Sequence, residues 1–374
     1  MKQDFVQLQH RYHEDVERSY TLPSYFYFDP AVLEAERKEI FEKSWICVGH
    51  EEKVREPGDY FTVSLFDQNI VIIRGKDQVV RAFYNVCPHR GHELVSGEGN
   101  KPLIVCPYHA WSFQLDGRFH NGRAVRQMKQ FDEQEACLRP VQVERFAHFL
   151  FVNLDPAAKP LQEMIPGVEE EIRQRVPVLD KLTLSHRISY EIKANWKNVL
   201  DNYLECHHCA VAHPQFVEIV DMAKYRLKTF DYHILQTGAG KKRLGSNRTP
   251  DDQENAVAMY TSYWLWPNLA IDIMPGEPGL IVMHVLPDGP ETTVQHLEFY
   301  YLQKEPTQEG WANIEYQDKV LNPEDFALVE SVQRGLRSKG YADGRYVVDQ
   351  DRSSISEHAV HHFHGLVLKA LGAR

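Results

Sequence analysis

The feature that most limits how this chain can fold is a pair of short cysteine–histidine segments. Cys87 and His89 form a C-x-H pair, and Cys106 and His109 form a C-x-x-H pair after sixteen intervening residues. Each falls where a strand-like run, QVVRAFYNV or LIVC, meets a proline, Pro88 or Pro107, the mark of a tight turn. Two such loops facing each other present two thiolates and two imidazoles to one point. The sequence around them reads as the scaffold they need. From Cys47 to about Asp155 it consists of short alternating or β-branched runs (DYFTVSLF, NIVIIRG, WSFQLDG, HFLFVNL) punctuated by Gly, Pro, Asp and Asn, the pattern of a small all-β domain.

Three readings of the four residues compete. They could be unrelated core and surface positions, but two ligand pairs at loop tips argue against that. A structural zinc site usually pairs Cys with Cys and His with His, whereas each loop here supplies one of each. The third reading is a Rieske-type two-iron, two-sulfur cluster, in which two Cys hold one iron and two His the other. Neutral imidazoles in place of anionic thiolates raise the cluster's potential, so it accepts electrons from an ordinary ferredoxin-like donor. The spacing fits this third reading. Tyr108 and Trp111 are expected to shield the cluster, and Gly91 to let the backbone pass close to the sulfurs. Cys47, Cys137, Cys206 and Cys209 read as small apolar core residues.

A second constellation lies in NWKNVLDNYLECHHCAVAHPQF. Glu205, His208 and His213 form E-x₂-H-x₄-H on an expected helix ended by Pro214. Glu205 and His208, at i and i+3, share a face. Two imidazoles and one carboxylate from elsewhere make a facial triad for Fe(II), with positions left open for O₂ and substrate. His207 is adjacent to His208 but points about 100° away. The carboxylate is expected from NPEDFALVESVQRGL, which offers Glu324, Asp325 and Glu330; spacing does not choose among them, and acids near a helix N-terminus are favoured in any case. His358, His361, His362 and His364 also cluster, at the spacing of a docked amphipathic terminal helix.

The 374 residues suffice for two or three domains. A net charge of −11 argues against a nucleic-acid footprint. The charged amino terminus resembles neither a leader nor an anchor, no run approaches the roughly 18 apolar residues of a spanning helix, and a cytoplasmic location is expected. Residues 1–44 look helical around PAVLEAERKEIFEKSW. Helices are expected at about 160–175, 307–320 and 323–338, with strands at LTLSHRISYEI, SYWLWP, LAIDIMP, GLIVMHVLP and TTVQHLEFYYLQ. A polar loop is expected at 240–256.

With both constellations in view, the chain resembles the α subunits of Rieske non-haem iron oxygenases over nearly its full length, carried by CPHRG, CPYHAW and NWKNVLDNYLECHHC-x₃-HP. The resemblance implies an α+β fold: an all-β Rieske [2Fe–2S] domain (45–155) inserted in a helix-grip catalytic domain with an antiparallel sheet (1–44 and 156–374). It carries Asp325 over as the third iron ligand through PED-x₂-LVESVQ-x-GL. Within the family, SWICVGH, RAFYNVCPHRGHELVSGEG, DNYLECHHC and ISEHAV are similar to the group acting on quaternary ammonium compounds. Most ring-hydroxylating relatives have Asp where this chain has Glu205. The resemblance further implies a monooxygenase supplied with NAD(P)H electrons by a separate flavin and iron–sulfur reductase, and a homotrimer in which Glu205 bridges His208 to a neighbouring subunit's cluster histidine. A quaternary ammonium cannot donate hydrogen bonds and suits a box of aromatic faces; Tyr203, Tyr263, Trp264 and Trp266 are candidates, at least half of them expected to be plain core. The stretch from about Val217 to Met259 matches the family poorly and is expected to line the pocket. An aromatic-ring oxygenase, a Rieske electron carrier and a zinc-stabilised binding module are the alternatives.

Overall fold

The computed structural model describes residues 10–244 and 256–373. It comprises two compact units, one spanning Glu42–Glu163 and the other formed by the segments up to Phe41 and from Met164 onward.

The inserted unit is all β. Its seven-stranded antiparallel sheet has the order β1-β10-β9-β4-β3-β2-β5, with β1 (Ile46–His50), β2 (Asp59–Leu65), β3 (Gln68–Arg74), β4 (Val80–Tyr84), β5 (Glu98–Asn100), β9 (Pro140–Phe146) and β10 (Phe149–Asn153). A small sheet of β6 (Ile104–Val105), β7 (Ser112–Phe113) and β8 (Phe119–Asn121) carries the second Cys/His loop. Side chains alternate across a strand, and β3 shows why this sheet can serve as a platform. Val71 and Ile73 pack beneath Cys87, Cys106, Trp111 and Phe113. Ile70 and Ile72 face the opposite core with Phe61, Val141 and Leu150. A strand buried on both faces needs an unbroken apolar run, and NIVII supplies it.

The flanking unit is built on a second seven-stranded antiparallel sheet, β11-β17-β16-β15-β14-β13-β12. These strands are β11 (Thr183–Ile192), β12 (Val220–Thr229), β13 (His233–Gly240), β14 (Met259–Leu265), β15 (Leu269–Ile273), β16 (Leu280–Gly289) and β17 (Thr292–Tyr301). Its helices are α1 (Pro30–Glu39), α3 (Val168–Arg175), α4 (Trp196–Tyr203), α5 (Cys209–Ala212), α6 (Pro214–Ile219), α7 (Gln308–Tyr316), α8 (Asn322–Leu336) and α9 (His358–Ala370); the short α2 (Leu161–Met164) falls at the unit boundary. Helix α4 packs on α8 and on β16, the helix-grip arrangement. The expected loop over 240–256 lies, from 245 to 255, outside the described residues. No helix among the described residues is long and apolar enough to cross a membrane.

Helix α1 starts where Asp29 accepts a hydrogen bond from the Ala31 N–H and Pro30 opens the first turn. Its Glu36 carboxylate meets the Lys197 ammonium at 2.6 Å with both side chains fully buried, and Trp196 Nε1 donates to the same carboxylate at 2.8 Å. Burial raises the Glu36 carboxyl and lowers the Lys197 ammonium, each partly offset by the other's charge. Removing either partner leaves an uncompensated buried charge, a loss of about 3–5 kcal/mol. The pair fixes the start of α4, and α4 leads directly to the second constellation. Three expectations change here. The helix through NWKNVLDNYLECHHC stops at Tyr203. Pro214 opens α6 instead of ending a helix. The helices expected at 307–320 and 323–338 are one continuous helical run, joined by a π turn at Gln317–Leu321.

Candidate metal centres

The two loops of the inserted unit are near-copies. Gly91 N–H donates to Cys87 O at 2.9 Å, and Ala110 N–H to Cys106 O at 3.1 Å. Each loop therefore closes on the fifth residue from its cysteine, and both closing residues are left-handed, with φ of 71° at Gly91 and 58° at Ala110. No other protein atom lies within 4 Å of a Cβ placed on Gly91, so within the protein it is the turn's dihedral that favours glycine here. Cys87 and Cys106 are each 2% exposed. Burial pushes the Cys87 thiol up, and the neighbouring Cys106 sulfur adds to the effect.

The imidazoles sit differently. His89 is exposed and His109 half-buried, with ring centroids 4.8 Å apart. Trp111 stacks flat on His89 at 4.6 Å and is buried. Tyr108 lies 3.8 Å from the His109 ring but is 53% exposed, so Trp111 is the better shield. Desolvation lowers the His109 imidazolium, and His89 and Arg90 push the same way; a neutral imidazole is the form that binds metal. His109 Nδ1 is buried without a hydrogen-bond partner. Two buried thiols and two adjacent imidazoles, one with an orphaned nitrogen, fit a Rieske cluster.

In the flanking unit, His208 Nε2 and His213 Nε2 are 3.1 Å apart. Asp325 Oδ1 lies 2.9 Å from the second and 3.5 Å from the first. Two nitrogens and one carboxylate oxygen converging this closely fit a mononuclear Fe(II) triad with open positions. Burial raises the Asp325 carboxyl, but hydrogen bonds from His208 and His213 outweigh it and hold the group below its ordinary value. For His208, burial lowers the imidazolium while Asp325 and Glu205 more than offset it, to about 9.

Each imidazole is oriented from behind by a carboxylate. Glu205 Oε1 is 2.5 Å from His208 Nδ1, and Glu324 Oε2 is 2.7 Å from His213 Nδ1. Glu205 and His208 meet at i and i+3 although they lie in a turn, because the Glu205 carboxylate also accepts from the His207 and His208 amides. Of the three acids of α8, Asp325 enters the cluster and Glu324 supports it. Glu330 turns away to accept from the Lys193 amide. His207 points outward toward Glu357 at 3.6 Å. The terminal histidines belong to α9, where buried His364 bonds Asp201 at 2.8 Å.

Cys206 and Cys209 form a disulfide, not the separate apolar fillers expected; their C-x-x-C spacing was the signal overlooked. Cys47 is buried and Cys137 half-buried.

A cavity opens beside the triad, lined by Val199, Phe216, Met283, Leu297 and the tyrosines Tyr203, Tyr225 and Tyr260, with Asp272 in its wall. Of the aromatic candidates only Tyr203 is here. Trp264 and Trp266 pack on Phe363 of α9, and Tyr263 bonds Arg175. From the poorly matching stretch, Tyr225 reaches the cavity. Tyr225 and Tyr260 sit on β12 and β14, on either side of β13 in one sheet, and their strand patterns mark burial, not a ligand.

The sequence matches a family model of the ring hydroxylating alpha subunit (catalytic domain) over residues 179–373 and one of the Rieske [2Fe–2S] domain over 44–132. It is 43% identical to the carnitine monooxygenase oxygenase subunit of Acinetobacter baumannii, covering 93% of this chain and 94% of that one. It is 30% identical to the chloroplastic choline monooxygenase of Beta vulgaris over 93% of this chain and 76% of that one. A quaternary ammonium Rieske monooxygenase solved with its substrate L-carnitine superposes with a TM-score of 0.86 at 41% identity, covering 98% of this chain and 99% of that one. The two domain models imply a Rieske [2Fe–2S] cluster and a mononuclear iron, the groups that the two donor sets fit. On these grounds the chain belongs to the α subunits of the Rieske non-haem iron oxygenases.

Proposed function

We propose that the protein is the oxygenase component of a two-component monooxygenase that hydroxylates a carbon next to a quaternary ammonium nitrogen, of carnitine, γ-butyrobetaine or betaine type. The observation that carries this reading is the cavity beside His208, His213 and Asp325, walled by three tyrosines and apolar side chains. A trimethylammonium group has no N–H to donate, and aromatic faces attract its diffuse charge. Relatives named for carnitine and choline oxidation support the same reading.

When bound, the cluster and the iron supply electron delivery and O₂ activation. The protein's own residues do the rest. Cys87, His89, Cys106 and His109 hold the cluster, and His208, His213 and Asp325 the iron. Glu205 and Glu324 fix the imidazole orientations. Val199, Met283 and Leu297 keep water from the reacting carbon. A hydroxyl placed next to the nitrogen gives a hemiaminal-like product that collapses with C–N cleavage, releasing trimethylamine from carnitine or formaldehyde from an N-methyl group.

NAD(P)H electrons arrive through a separate flavin and iron–sulfur reductase. Glu205, one oxygen on His208, is the bridge to a cluster histidine of a neighbouring subunit in a cytoplasmic homotrimer. The test is reductase-coupled O₂ uptake on carnitine, γ-butyrobetaine, glycine betaine, choline and an aromatic acid, with amine and aldehyde products measured. Uptake coupled to a quaternary ammonium substrate is expected. Turnover of the aromatic acid alone sinks the proposal.

A further inference from the structure

Several covered carboxylates in this unit come with cations. Buried Glu36 has Lys197, buried Glu298 has His284 and Arg187, and half-buried Asp201 has His364. Half-buried Asp272 has no such partner among the described residues. It sits in the middle of the sheet on β15, directly opposite Ser262 of β14, and its accessible part faces the cavity. No Lys, Arg or His among the described residues pairs with it. The cavity wall itself carries no Lys or Arg among the described residues.

Three hydroxyls face Asp272 instead. Tyr203 OH, from α4, donates to Oδ1 at 2.6 Å, the Ser262 hydroxyl of β14 bonds that phenol, and the Ser262 and Tyr260 hydroxyls help hold the carboxyl down. Burial lifts the carboxyl to about 6 against these bonds, so it is largely ionised at neutral pH. The cost of keeping an anion there is of the kind proteins normally offset with a counter-charge. Aromatic rings complete the surroundings: Tyr260 lies edge-on to Phe216 at 5.2 Å and stacks with Tyr225 at 6.2 Å.

We infer that Asp272 is the counter-ion by which this cavity selects a fixed positive charge over a neutral group of the same shape, an inference that rests on the quaternary-ammonium reading above. The Tyr203 phenol already occupies one carboxylate oxygen. A protonated amine needs free acceptors for its N–H groups, whereas a quaternary ammonium needs only the charge.

The probes are γ-butyrobetaine and its uncharged-head isostere 5,5-dimethylhexanoate, in which a tert-butyl group replaces trimethylammonium. Their equilibrium binding to the holoprotein is measured by calorimetry, which needs no turnover. Wild type is expected to favour γ-butyrobetaine by at least about tenfold, or about 1.4 kcal/mol. Asp272→Asn, which keeps an acceptor for Tyr203 but not the charge, should lose that preference at the cation while binding the isostere within about twofold of wild type. Asp272→Glu, which restores charge, should recover part of it. If Asp272→Asn keeps the preference, the aromatic faces select alone and the inference falls. It falls equally if both probes weaken together, since that is an architectural role. The wild-type comparison needs no variant: equal affinities overturn the counter-ion directly. A wild type that binds none of carnitine, γ-butyrobetaine and glycine betaine overturns the quaternary-ammonium reading itself.

Discussion

The loops proposed for the cluster and the triad proposed for the iron meet the same requirement, presenting histidine to a metal, by different means. In the loops the backbone does the work. Two five-residue turns repeat one another, the thiols are buried against the β3 face, and the imidazoles, His89 exposed and His109 half-buried, are backed by ring packing. At the iron site the backbone is broken into α4, a turn, α5 and α6. Carboxylates take over, Glu205 behind His208 and Glu324 behind His213. A site that passes electrons gains from a rigid frame and an exposed edge. A site that must leave coordination positions open gains from ligands whose direction is held independently of the chain.

The largest effects should separate the two regions cleanly. Cys87→Ser or Cys106→Ser should abolish the visible absorption and the reduced-state paramagnetic signal of the cluster. Full signal in both variants would overturn the ligand assignment. His208→Ala, His213→Ala and Asp325→Ala should each remove one iron per chain and leave the cluster spectrum unchanged. Iron analysis beside the absorption spectrum reads both at once; loss of iron in Glu324→Ala but not in Asp325→Ala would exchange the two acids.

The supporting carboxylates come next. Glu324→Gln should weaken iron binding by about 10- to 100-fold, the usual reach of a residue behind a ligand, as titrated with Fe(II). Glu205→Gln should retain both metals but slow cluster reoxidation in a single turnover by at least about tenfold, with Glu205→Asp partly active. Wild-type reoxidation in Glu205→Gln removes the bridge. The smallest effect tests the backbone frame. Gly91→Ala places a side chain at φ 71° with no other protein atom within 4 Å, and should cost only about 1 kcal/mol in thermal unfolding. Ala110→Gly relieves the same strain in the sister loop and should be neutral or slightly stabilising. A large loss from Gly91→Ala would mean that the loops are not equivalent after all.

How far the sequence could be read follows the same division. Cys87, His89, Cys106 and His109 stand close together in sequence, so their spacing carries the geometry. His208 and His213 were legible as a pair for the same reason. The third acid was not, because Glu324, Asp325 and Glu330 all lie on α8 and only its tertiary approach to His208 and His213 separates them; the family likeness, not the spacing, favoured Asp325. Glu324's partnership with His213 had no signature. Nor did the break at Tyr203, since LECHHC has no proline or glycine and ends its helix through Glu205 folding onto the next amides. Tyr225, Tyr260 and Asp272 come from three different strands, and in each the local pattern records only that a face is covered.

The buried pairing of Glu36 with Lys197 has a consequence for how the chain is made. A ribosome adding about 5–20 residues per second releases α1 first, then the whole of the inserted unit, before Lys197 and Trp196 exist to receive Glu36. For roughly ten to thirty seconds the nascent amino-terminal helix carries an acid destined for full burial with nothing yet to bury it against. The β-rich unit, whose strands are all present by then, is free to fold in that interval. Synthesis order thus makes the electron-accepting module the elder of the two, and the oxygen-handling one closes around a helix that has been waiting for it.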